Sequence, residues 1–312
     1  MIEIFTVVLP VFLLVGAGYG AVYFKLFRDD YADALMKFTQ NFAIPCLLFR
    51  AIAHLDLSTV FNLRLLGSYY AGSVSCFVLG ILGAIYLFKR RPGEAVVLGF
   101  CSLFANVVLL GFPIVERAFG AGSLGPITAI AAIHAPFCYL LGITTIELVR
   151  ADGRSLRSTA KTVAKAMFKN GLMIGLALGF TVNLTGLWLP EGLWAAVEMM
   201  GRAALPAALF GLGAVLVRYG LAANFGETAM ILVLRLGVHP LIALLMATQV
   251  FHLAPEVTRV VVLTAAMSPG VNTYIFANMF DRAKGAAASG VLLGTIGAIF
   301  SVSVWLVILR AL

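Results

Sequence analysis

Apolar residues in this chain run in blocks of about twenty, one after another from end to end, with short polar intervals between them. About 20 helical residues cross the roughly 30 Å hydrocarbon core of a bilayer. No water there can bond an exposed backbone, so a block of this length crosses as a helix, which satisfies its own N–H and C=O groups. Composition closes the soluble alternative. With 62% hydrophobic and 12% charged residues over 312 positions, the chain lacks the charged share of about a quarter that covers a soluble domain.

Breaks at charge clusters and Gly/Pro turns predict ten spans, near 4–22, 32–53, 64–88, 94–117, 122–149, 163–183, 193–217, 228–250, 257–280 and 285–309. No soluble domain of useful size fits between them. The start Met1-Ile2-Glu3 lacks a basic leader and no small-residue cleavage site follows, so the first block reads as a retained span. Basic residues gather on one side: Lys25 and Arg28, Lys89 to Arg91, the run from Arg150 to Lys169, Arg218, and Arg282 with Lys284. The other side carries Arg50, Arg64, Arg117, Arg259 and Arg310. The positive-inside rule then puts both termini outside the cytoplasm. The net charge of +8 follows from this topology and from anionic lipid head groups, and does not point to nucleic acid. Segment 150–162 reads as a basic cytoplasmic connector between halves 1–149 and 163–312.

Two spans are interrupted at their centres, one by Asn106 followed by Gly111-Phe112-Pro113, the other by Ser268-Pro269-Gly270-Val271-Asn272. Such breaks survive at membrane depth where they are buried in protein or line a wet cavity. A matched pair in corresponding halves is a sequence pointer to a transporter's binding site. The halves also share a register: Pro45 and Pro206, Phe119 and Phe280, and Gly18 and Gly179 each lie 161 positions apart, and the same shift lays one break on the other. Five spans per half is an odd number, so the second half enters the membrane inverted. The expected fold is therefore all-α and polytopic, two inverted five-helix repeats whose interrupted helices 4 and 9 cross near the midplane.

Half-helix N-termini at such a crossing offer N–H groups and partial positive charge, which suits an anion. Asn106 and Asn272 each add an amide that can hold a carboxylate or stitch opened backbone. The candidate binding set is Asn106, Gly111, Pro113, Ser268, Pro269, Gly270, Asn272 and Thr273, with Asn41 and Pro45 from the second span. Each has a structural alternative. The asparagines can tie helices together, and the prolines can be ordinary kinks. Among ionisable residues inside spans, Lys37 and Arg202 lie near span ends, where long side chains snorkel. Arg235 sits about two turns into the eighth span and can support an anion or a buried acid.

Ser102, Ser268, Thr273 and opened carbonyls supply oxygen ligands without forming a specific sodium motif, and Glu116, Glu198 or His134 could carry protons. The coupling ion, proton or sodium, stays open. The four histidines have no metal-ligand spacing, and Cys46, Cys76, Cys101 and Cys138 fall within apolar spans as packing residues. No cofactor, metal or catalytic constellation is indicated, and no nucleotide-binding loop accompanies the spans.

These residues resemble the auxin efflux carrier family in its short bacterial form, a group that includes malonate or malate permeases. The resemblance covers essentially the whole chain. It rests on Leu9-Pro10 through Gly16-Ala-Gly18-Tyr19, on Asn41 to Arg50 around Pro45, on Asn106 with Gly111-Phe112-Pro113-Ile114, and on Pro269 to Ala277. The first is unspecific; the order and spacing of the others are diagnostic. The family implies ten helices in two inverted repeats, a scaffold beside a moving transport domain, often a homodimer, and here a bacterial inner-membrane location. The large cytoplasmic loop of plant members is replaced by the short connector.

The expectation is a secondary carrier that moves a small organic anion, such as a mono- or dicarboxylate, by alternating access. The alternative is a sodium-coupled symporter of larger amphipathic anions, similar to bile-acid symporters. An intramembrane enzyme would need clustered acids, histidines or a ligand lysine, and the sequence offers none.

Overall fold

A computed structural model describes residues 2–55, 62–150, 171–218 and 225–312. Most of the expected connector and the start of the sixth span lie outside the described residues. Every named element among those described is helical. In chain order they are α1 (Ile2–Tyr23), α2 (Asp29–Phe38), α3 (Ile44–Ala53), α4 (Leu63–Tyr86), α5 (Pro92–Leu103), α6 (Phe112–Phe119), α7 (Leu124–Arg150), α8 (Gly171–Thr185), α9 (Glu191–Leu216), α10 (Phe225–Val233), α11 (His239–Leu245), α12 (Pro255–Ala265), α13 (Asn272–Phe280) and α14 (Lys284–Leu309). Among the described residues, five stretches are long and apolar enough to cross a membrane unaided: Leu63–Tyr86, Ala121–Ile146, Glu191–Leu216, Phe225–Val250 and Lys284–Leu309.

Among the described residues, four wider π-turns interrupt the α-geometry, at Thr39–Ala43, Val107–Gly111, Leu234–Val238 and Met246–Val250. Three of them run directly into an α-helix with proline in its first turn: Pro45 in α3, Pro113 in α6 and Pro240 in α11. Proline lacks an N–H and its ring collides with the carbonyl one turn back, which the wider turn displaces. Each of these three π-turns thus absorbs a proline that would otherwise break the span. The carbonyls it releases find side chains: Leu234 accepts from Cys76 Sγ at 3.2 Å, and Leu236 from Ser301 Oγ at 2.8 Å and Trp305 Nε1 at 2.9 Å.

The described chain falls into two compact units, one of residues 10–55 and 171–218, the other of residues 2–9, 62–150 and 225–312. Each unit draws on both halves of the sequence. In the first, glycines let backbones touch. A Cβ on Gly175 would sit 2.5 Å from the Pro45 carbonyl oxygen, and one on Gly179 would sit 2.9 Å from that of Phe49. Gly18 meets the Phe210 carbonyl and Gly213 meets that of Val15 still more closely. Asn183 Nδ2 closes the end of α3, lying 2.9 Å from the Ile52 carbonyl, 3.1 Å from that of Ala53 and 2.7 Å from that of Leu55. The second unit contains both interrupted spans.

Candidate binding site at the paired helix breaks

α5 ends at Leu103, and residues 104–106 leave the helical conformation before the π-turn at Val107. α12 ends at Ala265, and 266–271 run non-helically to α13. These two openings bond to each other. The Asn106 N–H donates to the Ser268 carbonyl at 2.8 Å and the Gly270 N–H to the Phe104 carbonyl at 3.1 Å, placing Ala105 opposite Pro269 in a single antiparallel bridge. At this bridge the Pro269 nitrogen points away from the partner, so a residue without N–H costs no bond. Gly270 sits in a tight place, since a Cβ there would lie 3.1 Å from the Phe104 ring and 3.2 Å from the Ala105 carbonyl oxygen, and one of them would have to give way. Gly294 of α14 likewise leaves room for the Pro269 ring, 2.6 Å from where its Cβ would be.

The remaining backbone groups are met locally. The Ala105 N–H donates to His134 Nε2 at 3.0 Å, and Ser73 Oγ donates to the Leu103 carbonyl at 3.1 Å. The Asn106 carbonyl accepts from Leu110 at 3.3 Å and from Gly111 at 3.0 Å. Thr273 Oγ1 donates to the Gly270 carbonyl at 2.8 Å, and the Tyr139 hydroxyl donates to Asn272 Oδ1 at 3.3 Å.

A cation closes the second opening. Arg235, presented by the π-turn at Leu234–Val238, is fully buried. Its Nη2 donates to the carbonyls of Ala265 at 3.1 Å and Met267 at 3.2 Å, at the carbonyl end of α12 where the helix dipole is negative. Its Nη1 meets His239 Nδ1, and His239 Nε2 lies 3.0 Å from the Tyr69 carbonyl. One tautomer serves both contacts: Nδ1 accepts from the guanidinium while Nε2–H donates to the carbonyl. The Tyr69 ring lies edge-on to His239 at 4.8 Å and to His134 at 5.7 Å, which returns the circuit to Ala105.

Four buried polar atoms around this circuit, Arg235 Nε, Asn106 Nδ2, Ser268 Oγ and the Tyr69 hydroxyl, have no hydrogen bond of good geometry, although the Tyr69 hydroxyl lies within reach of the Arg235 guanidinium. All four can donate a hydrogen bond, and one of them belongs to the Arg235 guanidinium. A buried donor without an acceptor costs about 1–3 kcal/mol, more when charged.

The structure differs from the sequence expectation in three respects. Gly111 and Pro113, expected within the first break, are buried in the π-turn and in the first turn of α6, so the backbone opens earlier, at 104–106. The N–H groups of Thr273, Tyr274 and Ile275 at the start of α13 already donate to Gly270 and Val271, so side chains supply more of the donor surface than the half-helix terminus does. Asn106, Ser268, Pro269 and Gly270 come together, with Asn272 and Thr273 following at the head of α13. Asn41 and Pro45 belong to the other unit: Asn41 is exposed in a π-turn, and Pro45 is buried against Gly175. Glu116 is exposed, and Glu198 pairs with Arg202 at 2.6 Å. Sequence reasoning named Arg235 without placing it, and passed over Tyr69 and His239. The spacing of Arg235 and His239, four residues apart and so on one helical face, was the available signal.

Nearly the whole chain, residues 3–306, matches the family model described as membrane transport protein. The chain belongs to this transporter family, that of the auxin efflux carriers. Among its members it is 25% identical over 97% of its length to the uncharacterized transporter YfdV of Escherichia coli (strain K12), of which 96% is covered. It is 22% identical to a Rhizobium meliloti (strain 1021) protein named "Putative malonate transporter", covering 100% of this chain and 97% of that one. It is 20% identical to auxin efflux carrier component 5 of Arabidopsis thaliana, over 94% of this chain and 92% of that one. The family is one of membrane transporters, not of enzymes, so a transported small molecule and a membrane setting come with membership.

Proposed function

We propose that this protein is a secondary carrier of a small organic anion, working by alternating access at the paired breaks. The single observation that carries the reading is the group of four buried donors without acceptors around the Phe104–Asn106 and Ala266–Val271 openings. A carboxylate offers two oxygens with several lone pairs and matches those donors. The name of the Rhizobium relative favours malonate as the first compound to try.

In this reading the ten spans form two inverted five-helix repeats, the interrupted helices cross near the midplane, and both termini lie outside the cytoplasm of a bacterial inner membrane. The site residues are Asn106, Ser268, Pro269, Gly270, Asn272 and Thr273. Gly111 and Pro113 shape the turn behind them. Pro45 and Asn41 serve the packing and the surface of the other unit. Transport requires that the anion bind the inward and outward states and the intermediate between them, and the unit holding the breaks carries it across. A homodimer is the assembly that the family likeness favours.

Replacing Asn106 by Ala in protein reconstituted into vesicles tests the site. Labelled malonate uptake should lose at least about tenfold in apparent affinity, roughly 1.4 kcal/mol. Unimpaired uptake at unchanged affinity would remove Asn106 from the site.

A further inference from the structure

Opened helix ends expose carbonyl oxygens, and in broken-helix carriers such oxygens are ligands for a coupling cation. Here Arg235 already occupies that position. Its Nη2 holds the Ala265 and Met267 carbonyls at 3.1 and 3.2 Å, and its Nη1 is held by His239. The side chains of the circuit are Tyr69, His134, His239, Asn106 and Ser268, none of them a carboxylate that could balance the charge. A guanidinium does not give up its proton, so the positive charge is permanent and needs no ion from solution. Its Nε has no acceptor in good hydrogen-bond geometry, and the Tyr69 hydroxyl lies beside the guanidinium.

Granted that the breaks form an anion site, we infer that Arg235 is its resident counter-cation, standing where a sodium ion would otherwise bind, so that the anion binds this carrier without sodium. The guanidinium turns two edges toward protein acceptors and the third, through Nε, toward the substrate. Asn106 Nδ2, Ser268 Oγ and the Tyr69 hydroxyl complete the set of donors. The anion therefore binds as the partner of a fixed charge, which makes Arg235 a specificity-determining residue for negative substrates. It also makes sodium a poor competitor for the carbonyls: the cation there is covalently tethered, and adding a second would place like charges a few ångströms apart.

The decisive measurement needs no substrate. Purified wild-type protein is melted in sodium chloride and in choline chloride at equal ionic strength, and bound labelled sodium is counted by equilibrium dialysis. Equal melting temperatures and no stoichiometric sodium are expected. A melt raised by sodium alone, or about one sodium retained per chain, overturns the inference. Arg235→Ala vacates the carbonyls and should create sodium-dependent stabilisation, whereas Arg235→Lys should remain indifferent to sodium. Because the wild-type comparison stands alone, it decides the matter even where either variant misfolds. A separate arm adds malonate, succinate and acetate in each medium. If no anion shifts the melt in either medium, the anion-site reading fails, while the sodium arm still decides the role of Arg235. A malonate shift present only with sodium overturns the sodium-independence directly.

Discussion

The two compact units solve the same problem, polar backbone in an apolar surrounding, in opposite ways. In the unit of residues 10–55 and 171–218, glycines bring helix backbones into direct contact, and the Asn183 amide caps the carbonyls at the end of α3. None of the buried, unpartnered side-chain atoms among the described residues lies there. All of them, on Tyr69, Asn106, Glu227, Thr228, Arg235 and Ser268, belong to the unit that contains the helix breaks. One unit is optimised for packing. The other keeps buried polar groups without a partner, each of which calls for a physical explanation, and a bound ligand is the one proposed for those at the breaks.

Breaking the packed unit should have the largest effect. Gly213 faces the Val15 carbonyl so closely that no side chain fits, and the obstacle is backbone, which cannot swing aside. Gly213→Val must push α1 and α9 apart or distort one of them. A loss of about 3 kcal/mol or more is expected, at the upper end of overpacking effects. Thermal melting of the detergent-solubilised variant checks it; an unchanged melt would show that the helices do not pack this closely.

A smaller effect is expected from Asn183→Ala. Its amide reaches the carbonyls of Ile52, Ala53 and Leu55 at the carboxyl end of α3. Asn183 is half-buried, so water replaces part of what is lost and the cost should be about 1–2 kcal/mol. Asn183→Gln, which keeps the amide on a longer stem, should recover some of it. A variant as stable as wild type would mean that α3 ends without help from this side chain.

Much of this contrast was written in the sequence, though unevenly. The helical class followed from block length, and the break at Ser268 to Asn272 from a Pro-Gly pair that has no ordinary place in a span. Gly111 and Pro113 misled because proline was weighed as a breaker, whereas the π-turn before it converts Pro113, like Pro45 and Pro240, into the first turn of a new helix. Whether a proline opens the backbone depends on the turn ahead of it, and residue types alone do not specify that turn. The charge was harder still. Arg235 was visible as an ionisable residue inside a span, but besides His239 its acceptors are backbone carbonyls 30 and 32 positions away, which any residue could supply. Pairing between a side chain and backbone leaves no mark on residue identity, unlike pairing with a carboxylate.

The smallest stability effect should come from the site itself, and its sign separates the two units most cleanly. Ser268 Oγ is buried without a partner, although its neighbouring carbonyl is bonded to the Asn106 N–H. In a packed region, removing a hydroxyl leaves a small void and a stranded partner, so stability falls. Here no partner exists to be stranded, and Ser268→Ala removes only a desolvated group. The substrate-free protein should therefore keep its melting temperature or gain up to about 1 kcal/mol. Anion binding should move the other way, because the variant has one donor fewer for the carboxylate, and the malonate-induced rise in melting temperature should shrink. Opposite signs in the two measurements identify a group held ready for a ligand. A parallel fall in both would mean that Ser268 is an ordinary structural hydroxyl, and that the openings differ from the packed unit in degree only.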